Sequence, residues 1–146
     1  MILLKTSIVI ITFLFMEFVA WFAHKYIMHG FLWFLHKDHH QVDKNKKFQK
    51  NDYFFLIFAI PSIICLVVGA ENYNYLFFIG LGILLYGLAY FMIHEVIIHR
   101  RLPPPSKTKS KYIIAIRKAH KIHHKNRNKE HCINFGMLIV PIKYFK

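Results

Sequence analysis

Three runs of apolar residues constrain this chain more than any other feature. They cover residues 2–23, 53–70 and 75–93. Each is long enough to cross a hydrocarbon core of about 30 Å as a helix. The first run is interrupted by Lys5, Thr6, Ser7 and Glu17, and the second contains Pro61. A proline is tolerated in a membrane helix and is expected to kink it. Only residues 71–74 separate the second and third runs, which therefore read as a tight helical hairpin. The first run has no strongly basic start and no small-x-small cleavage site, and it continues straight into Trp21 and His24. It reads as a retained helix rather than a signal peptide. A fourth apolar stretch, residues 133–142, is too short to span. It reads as a re-entrant or interfacial segment, or as a helix packed beneath a site. With 146 residues, of which 55% are hydrophobic, the expectation is one domain over residues 1–146, an all-α integral membrane helical bundle.

Charge sets the orientation. The chain carries 20 Lys+Arg against 7 Asp+Glu. Segment 36–52 holds five of the lysines and segment 100–130 holds eleven Lys+Arg, together 16 of the 20. The positive-inside rule puts both segments in the cytoplasm and the N-terminus outside, which three crossings satisfy. Topology and anionic lipid thus explain the basicity, and nucleic-acid binding is not needed. A second role for the same surface is a docking face for an acidic protein partner, with Lys109, Lys111 and Lys118 as its test positions. Pro103, Pro104 and Pro105 mark a break before the last basic stretch. Cys65 and Cys132 form no CxxC pair and suggest neither a disulfide framework nor a zinc ribbon.

Histidine is the compositional outlier. Ten of the eleven fall into four groups that form an internal repeat. His24 and His29 are followed by His36, His39 and His40; His94 and His99 are followed by His120, His123 and His124. The pair HxxxxH then HxxHH occurs twice. In both copies the first pattern ends an apolar run and the second lies in a basic segment. In HxxHH, positions i, i+3 and i+4 share one helix face, so three imidazoles can converge on a metal. HxxxxH is less convenient, because five residues turn about 140° in an α-helix. One histidine must lean across, or the helix must bend or carry a π-bulge. Gly30, directly after His29, suits a bend.

Ten histidines in two matching sets at the ends of apolar helices point to metal binding, and ten are about right for two ions. Imidazole suits iron, copper, zinc and nickel. The carboxylates are too few for the Glu and ExxH sets of soluble di-iron bundles. Asp38 and Glu95 are instead candidates to orient an imidazole through its other nitrogen. His94-Glu95-Val96-Ile97-Ile98-His99 is HExxxH, not HExxH, and the extra residue spoils the zincin pair. Bis-histidine haem needs single histidines on facing helices. Trp21, Phe22, Phe31, Trp33 and Phe34 lie near the first boxes and read mostly as an interfacial aromatic belt, with a groove for a substrate as the other use.

The residues around the boxes resemble a known family. They are Ala23-His24-Lys25-Tyr26-Ile27-Met28-His29-Gly30, then His36-Lys37-Asp38-His39-His40. Further on come Tyr86-Gly87-Leu88, Tyr90-Phe91-Met92-Ile93-His94, Ala119-His120-Lys121-Ile122-His123-His124, Lys129-Glu130 and Cys132 to Gly136. In order, spacing and flanks the chain resembles the bacterial β-carotene hydroxylases of the fatty-acid hydroxylase/sterol desaturase superfamily, over nearly its whole length. The resemblance implies a non-haem di-iron monooxygenase of the bacterial inner membrane, with its histidine boxes on cytoplasmic helix extensions. It implies hydroxylation at ring carbon 3 of each β-ionone ring, taking β-carotene through β-cryptoxanthin to zeaxanthin. Two iron ions, O₂ and a ferredoxin-type electron donor come with it. The implied ligands are His24, His29, His36, His39, His40, His94, His99, His120, His123 and His124. His131 falls where the family has a small residue and is not among them. Pro103 to Pro105 and the short lysine-bearing C-terminus depart from the family pattern without touching a box. Two rival readings stand beside this one. The first is another hydroxylase or desaturase of the superfamily, acting on a fatty-acyl or sterol lipid. The second is a non-enzymatic membrane metal-binding protein, which would favour ionisable residues along the membrane path.

Overall fold

The computed structural model describes residues 1–43, 46, 48–102 and 108–146. The break expected at Pro103 to Pro105 lies outside the described residues. Among those described there are helices and loops and no strand. Helix α1 spans Ile2–Phe22 and continues as a π-helical segment, Ala23–Phe31, into α2, Trp33–His40. A 3₁₀ turn, Lys50–Tyr53, leads into α3, Phe54–Ala70. Helix α4, Tyr75–Phe91, passes into a second π-helical segment, Met92–Ile98. Helix α5, Lys111–His123, and a 3₁₀ turn, Ile142–Phe145, complete the chain.

Three helical stretches are long and apolar enough to cross a membrane: Ile2–Phe31, Lys50–Ala70 and Tyr75–Ile98. They make this an integral membrane protein. Their outer faces are apolar and open, as at Ile11 (65% exposed) and Val67 (69%), which only lipid accommodates. Helix α3 runs unbroken through Pro61. Residues 71–74 turn it back into α4, where Asn74 caps the new helix by accepting the Leu76 N–H at 2.9 Å. Small residues let the helices close up. A Cβ on Gly80 would lie 2.8 Å from the Leu66 nitrogen, and one on Gly82 would lie 2.7 Å from Thr12. The Ser62 hydroxyl donates to the Gly80 carbonyl at 2.9 Å. The α1–α4 contact is built on Met16, Ala20 and Tyr86.

Of the readings of residues 133–142, the structure excludes the packed helix. From 133 to 141 the chain is not helical; it is a loop laid against α1. A loop buried near apolar helices needs partners for its backbone, and Glu17 provides them. Its Oε1 accepts the N–H groups of Met137, Leu138 and Ile139 at 2.9, 2.9 and 3.1 Å. Its Oε2 accepts the Tyr86 hydroxyl at 2.8 Å. The carboxylate within α1 is therefore a clamp. Gly136 is required beside it, because a Cβ there would meet the Ile139 carbonyl at 2.7 Å. The C-terminal turn packs Tyr144 against Ala115 and Ala119 of α5.

Candidate metal centre

The inconvenient HxxxxH spacing is met by π-helix. A π-type turn closes i to i+5, which brings five-apart residues onto one side. In the second copy that bond joins the two histidines themselves: the His99 N–H donates to the His94 carbonyl at 2.9 Å. In the first copy the segment bends at Gly30, whose φ −94°, ψ −125° is non-helical and turns the chain toward α2. Gly30 is thus the bend the sequence suggested.

The ten box histidines come together, nine of them as two adjoining groups. In the first group, side-chain nitrogens of His24, His29, His36, His40 and His123 all lie within 4.8 Å of one another. In the second, those of His39, His94, His99 and His120 do. The His124 ring lies at the boundary. It is 4.5 Å from the His120 ring, 4.9 Å from His99, and stacked on His40 at 4.4 Å. His131 is exposed and belongs to neither group.

In this grouping the three histidines of an HxxHH box, which one metal could gather, do not stay together. Each box is divided. On an α-helix i+4 lies about 40° from i, and i+3 lies about 60° away on the other side. On α2, His36 and His40 stay with the histidines of their own repeat, while His39 crosses to the other group. On α5, His120 stays with His94 and His99, and His123 crosses to the first group. The two repeats exchange their i+3 histidines, and the stacked pair His40–His124 sits where they meet.

Ring orientation follows one rule in the first group. Nδ1 points outward to a fixed oxygen and Nε2 points inward. His24, His29, His40 and His123 are held by the main-chain carbonyls of Phe135, Lys129, Asn126 and Ile133, at 3.0, 3.1, 3.0 and 2.9 Å. A carbonyl only accepts, so each Nδ1 carries the proton, and a neutral ring then has a bare Nε2. His36 Nδ1 lies 2.6 Å from Asn51 Oδ1, and His39 Nδ1 lies 3.2 Å from Gln49 Oε1. In the second group His94 Nδ1 meets Glu95 Oε1, as expected of Glu95. Arg101 donates to the other Glu95 oxygen and grips Asp52 with both terminal nitrogens. Asp38 acts one step further out than expected. It accepts the N–H groups of Lys50 and Asn51 and so positions the turn that carries Asn51.

The residues fit a metal. The Nε2 atoms of His29 and His123 face each other at 3.3 Å although both rings already donate through Nδ1. Two bare lone pairs at that distance repel unless a cation lies between them. The Nε2 atoms of His39, His40 and His124 are buried without any hydrogen-bond partner, a costly state for a polar atom. The all-imidazole donor set suits a borderline transition metal rather than magnesium or calcium. Carbonyl and amide oxygens supply the outer partners that metal-binding histidines ordinarily have.

Burial disfavours the charged form of the rings on α2 and α5. It pushes His40 down to about 4, and burial with repulsion from His40 takes His123 to about 3. Burial likewise holds His36, His39 and His120 well below their usual 6.5. In metal-stripped protein the unfolded chain therefore binds more protons than the folded chain between pH 6.5 and about 4. Stability is expected to be level above pH 6.5. It then falls as pH drops through that window, by about 1.4 kcal/mol per pH unit for each such histidine. Acid unfolding followed by circular dichroism checks this, and a flat profile from pH 7 to 4.5 would contradict it.

Of the aromatics singled out in the sequence, Trp33 packs on the site, 5.1 Å from the His29 ring. Phe22, Phe31 and Phe34 are exposed, as an outer belt would be. In the sequence Phe135 and Tyr90 belong to the stretches that carry the family resemblance, without a role at the site. Phe135 lies edge-on to His24, His29 and His123, and Tyr90 lies 5.0 Å from His94.

Fold and site together define an integral-membrane helical protein with paired histidine clusters that can hold metal. Residues 9–143 match the fatty acid hydroxylase family, and the chain belongs to that family. It is 40% identical over 134 residues to a β-carotene hydroxylase of Pantoea ananas, covering 92% of this chain and 76% of that one. It is 37% identical over 135 residues to a β-carotene hydroxylase of Paracoccus sp. (strain PC1), covering 92% and 83%. A chloroplastic β-carotene 3-hydroxylase of an Oncidium hybrid cultivar is 36% identical over 116 residues, covering 77% of this chain and 38% of that one. No solved structure matches the chain significantly.

Proposed function

We propose that this chain is a carotenoid hydroxylase. It places hydroxyl groups at ring carbon 3 of both β-ionone rings of β-carotene, giving zeaxanthin by way of β-cryptoxanthin. The observation that carries the reading is the pair of buried histidine clusters with inward, partnerless Nε2 atoms, in a chain similar to proteins named β-carotene hydroxylases. The ten box histidines hold two iron ions, the first with His24, His29, His36, His40 and His123, the second with His39, His94, His99, His120 and His124. Iron bound there would supply the activation of O₂ needed to replace a ring C–H by C–OH.

Each hydroxylation consumes one O₂, two electrons and two protons and releases one water. The chain's own residues contribute position and dryness. Carbonyls of residues 126–135 fix the tautomer and aim of four imidazoles. Glu95, locked by Arg101, fixes His94. Trp33, Phe135 and Tyr90 form aromatic cover around the rings and limit water. The basic segments lie at the box end, so the boxes face the cytoplasm of the bacterial inner membrane, and a ferredoxin-type donor delivers electrons there. All 146 residues form one domain. A second reading, hydroxylation of a fatty-acyl lipid, is favoured by the family match itself.

Pigment chromatography of a β-carotene-accumulating bacterial host tests the proposal. Expression of the chain is expected to produce β-cryptoxanthin and zeaxanthin. Unchanged β-carotene, with the protein in the membrane and iron bound, would overturn it in favour of the lipid reading. With a reduced ferredoxin-type donor, turnover in membranes is expected to fall as ionic strength rises.

A further inference from the structure

A cavity of about 840 Å³ runs between α3 and α4 on the membrane side of the boxes. It follows α3 from Phe54 to Leu66, a length of about 18 Å at 1.5 Å per residue. Its walls are mainly apolar and partly open to the lipid side, as at Ile63 (58% exposed) and Leu88 (55%). At the box end it reaches Asn51, Phe54, Tyr90 and Glu95. These are the groups in contact with His36 and His94. One layer of side chains therefore separates the cavity from each histidine cluster.

One residue marks the cavity as built for an occupant. Glycine within a helix is unfavourable and needs a reason. On α3 and α4, Gly69, Gly80 and Gly82 have one: a Cβ on any of them would collide with a neighbouring helix or turn. Gly87 does not, since a Cβ there would meet nothing within 4 Å. It lines the cavity, and the effect of its missing side chain is to widen it.

We infer that this α3–α4 cavity, kept open by Gly87, is the binding groove for the substrate's end ring and the adjoining apolar chain, an isoprenoid polyene entering sideways from the bilayer. The inference rests on the carotenoid reading above and adds where the substrate lies. Lipid is the only medium in which such a molecule reaches the protein, and the groove opens toward lipid. The polar groups at its box end leave the hydrocarbon portion on the α3–α4 walls and bring the ring toward the histidines.

Wild type, Gly87→Leu, Gly87→Ala and Val67→Phe are expressed in a β-carotene-accumulating host. Each chain is then purified in detergent and measured for metal content, retained β-carotene and hydroxylated product. Gly87→Leu is expected to keep wild-type metal content and to retain β-carotene and make product at least tenfold less. Gly87→Ala is expected to fall between it and wild type. Val67→Phe, equally bulky but outside the groove, is expected to match wild type. Should Gly87→Leu fail to accumulate, Ala59→Phe on the facing wall carries the same expectation. Wild-type retention and turnover by the filled variant would overturn the groove. Carotenoid held by wild type and lost from Gly87→Leu, with no hydroxylated product in either, would leave the groove standing and overturn the reaction.

Discussion

His123→Ala is expected to reach the membrane at the wild-type level, lose metal from the first cluster, and form hydroxylated product more slowly by about 100-fold or more. Groups that only support a metal ligand already cost about 10–100-fold when removed, and His123 faces the site directly. It is fully buried, its Nδ1 is fixed by the Ile133 carbonyl, and its Nε2 faces that of His29. His131→Ala is the internal control, since that ring is exposed and outside both groups, and it is expected to change nothing. The crossing of the i+3 histidines makes the test sharper. His39→Ala is expected to deplete the second cluster although its own box feeds the first, and His123→Ala the reverse. Metal per chain together with the spectrum of the bound metal in each variant reads this out. Wild-type metal and turnover in His123→Ala would remove the basis for the assigned site.

The second large effect is expected at Glu17, far in sequence from everything it holds. Glu17→Leu leaves three main-chain N–H groups and the Tyr86 hydroxyl without their acceptor in an apolar environment. Each unpaired buried group costs about 1–3 kcal/mol, so the total is on the order of 4 kcal/mol or more. The loss should first release residues 133–141, seen as faster proteolysis of that segment and a lower Tm. Phe135 lies in the released loop and its carbonyl holds His24, so metal is expected to leave the first cluster before the second. Glu17→Gln keeps one acceptor oxygen for the three N–H groups and is expected to lose only about 1–2 kcal/mol. If Glu17→Leu were as stable and as protease-resistant as wild type, the clamp would not be what holds this loop.

The apolar runs were readable because a span needs only length and composition, and α1, α3 and α4 begin and end within two residues of them. The histidine repeat was readable because ligand chemistry resides in side chains. Even the awkward HxxxxH spacing announced its remedy, a π turn or a bend, and the structure uses both. Glu95 could be named because it neighbours His94 in the chain.

What the sequence determined by itself was therefore that the chain is helical, that three stretches are long and apolar enough to span a membrane, and that the histidines stand in paired boxes. Only the tertiary structure decided how those histidines are shared. Angular positions on α2 and α5 become an assignment only when the facing repeat is in place. It also decided what holds them. Four of the five histidines in the first group are fixed by main-chain carbonyls of residues 126–135. Every residue carries a carbonyl, so no residue type records which one will be used. The same holds for Glu17, whose partners are backbone N–H groups 120 or more residues away. A carboxylate in an apolar run reads as an anomaly until the loop that needs it has folded against it.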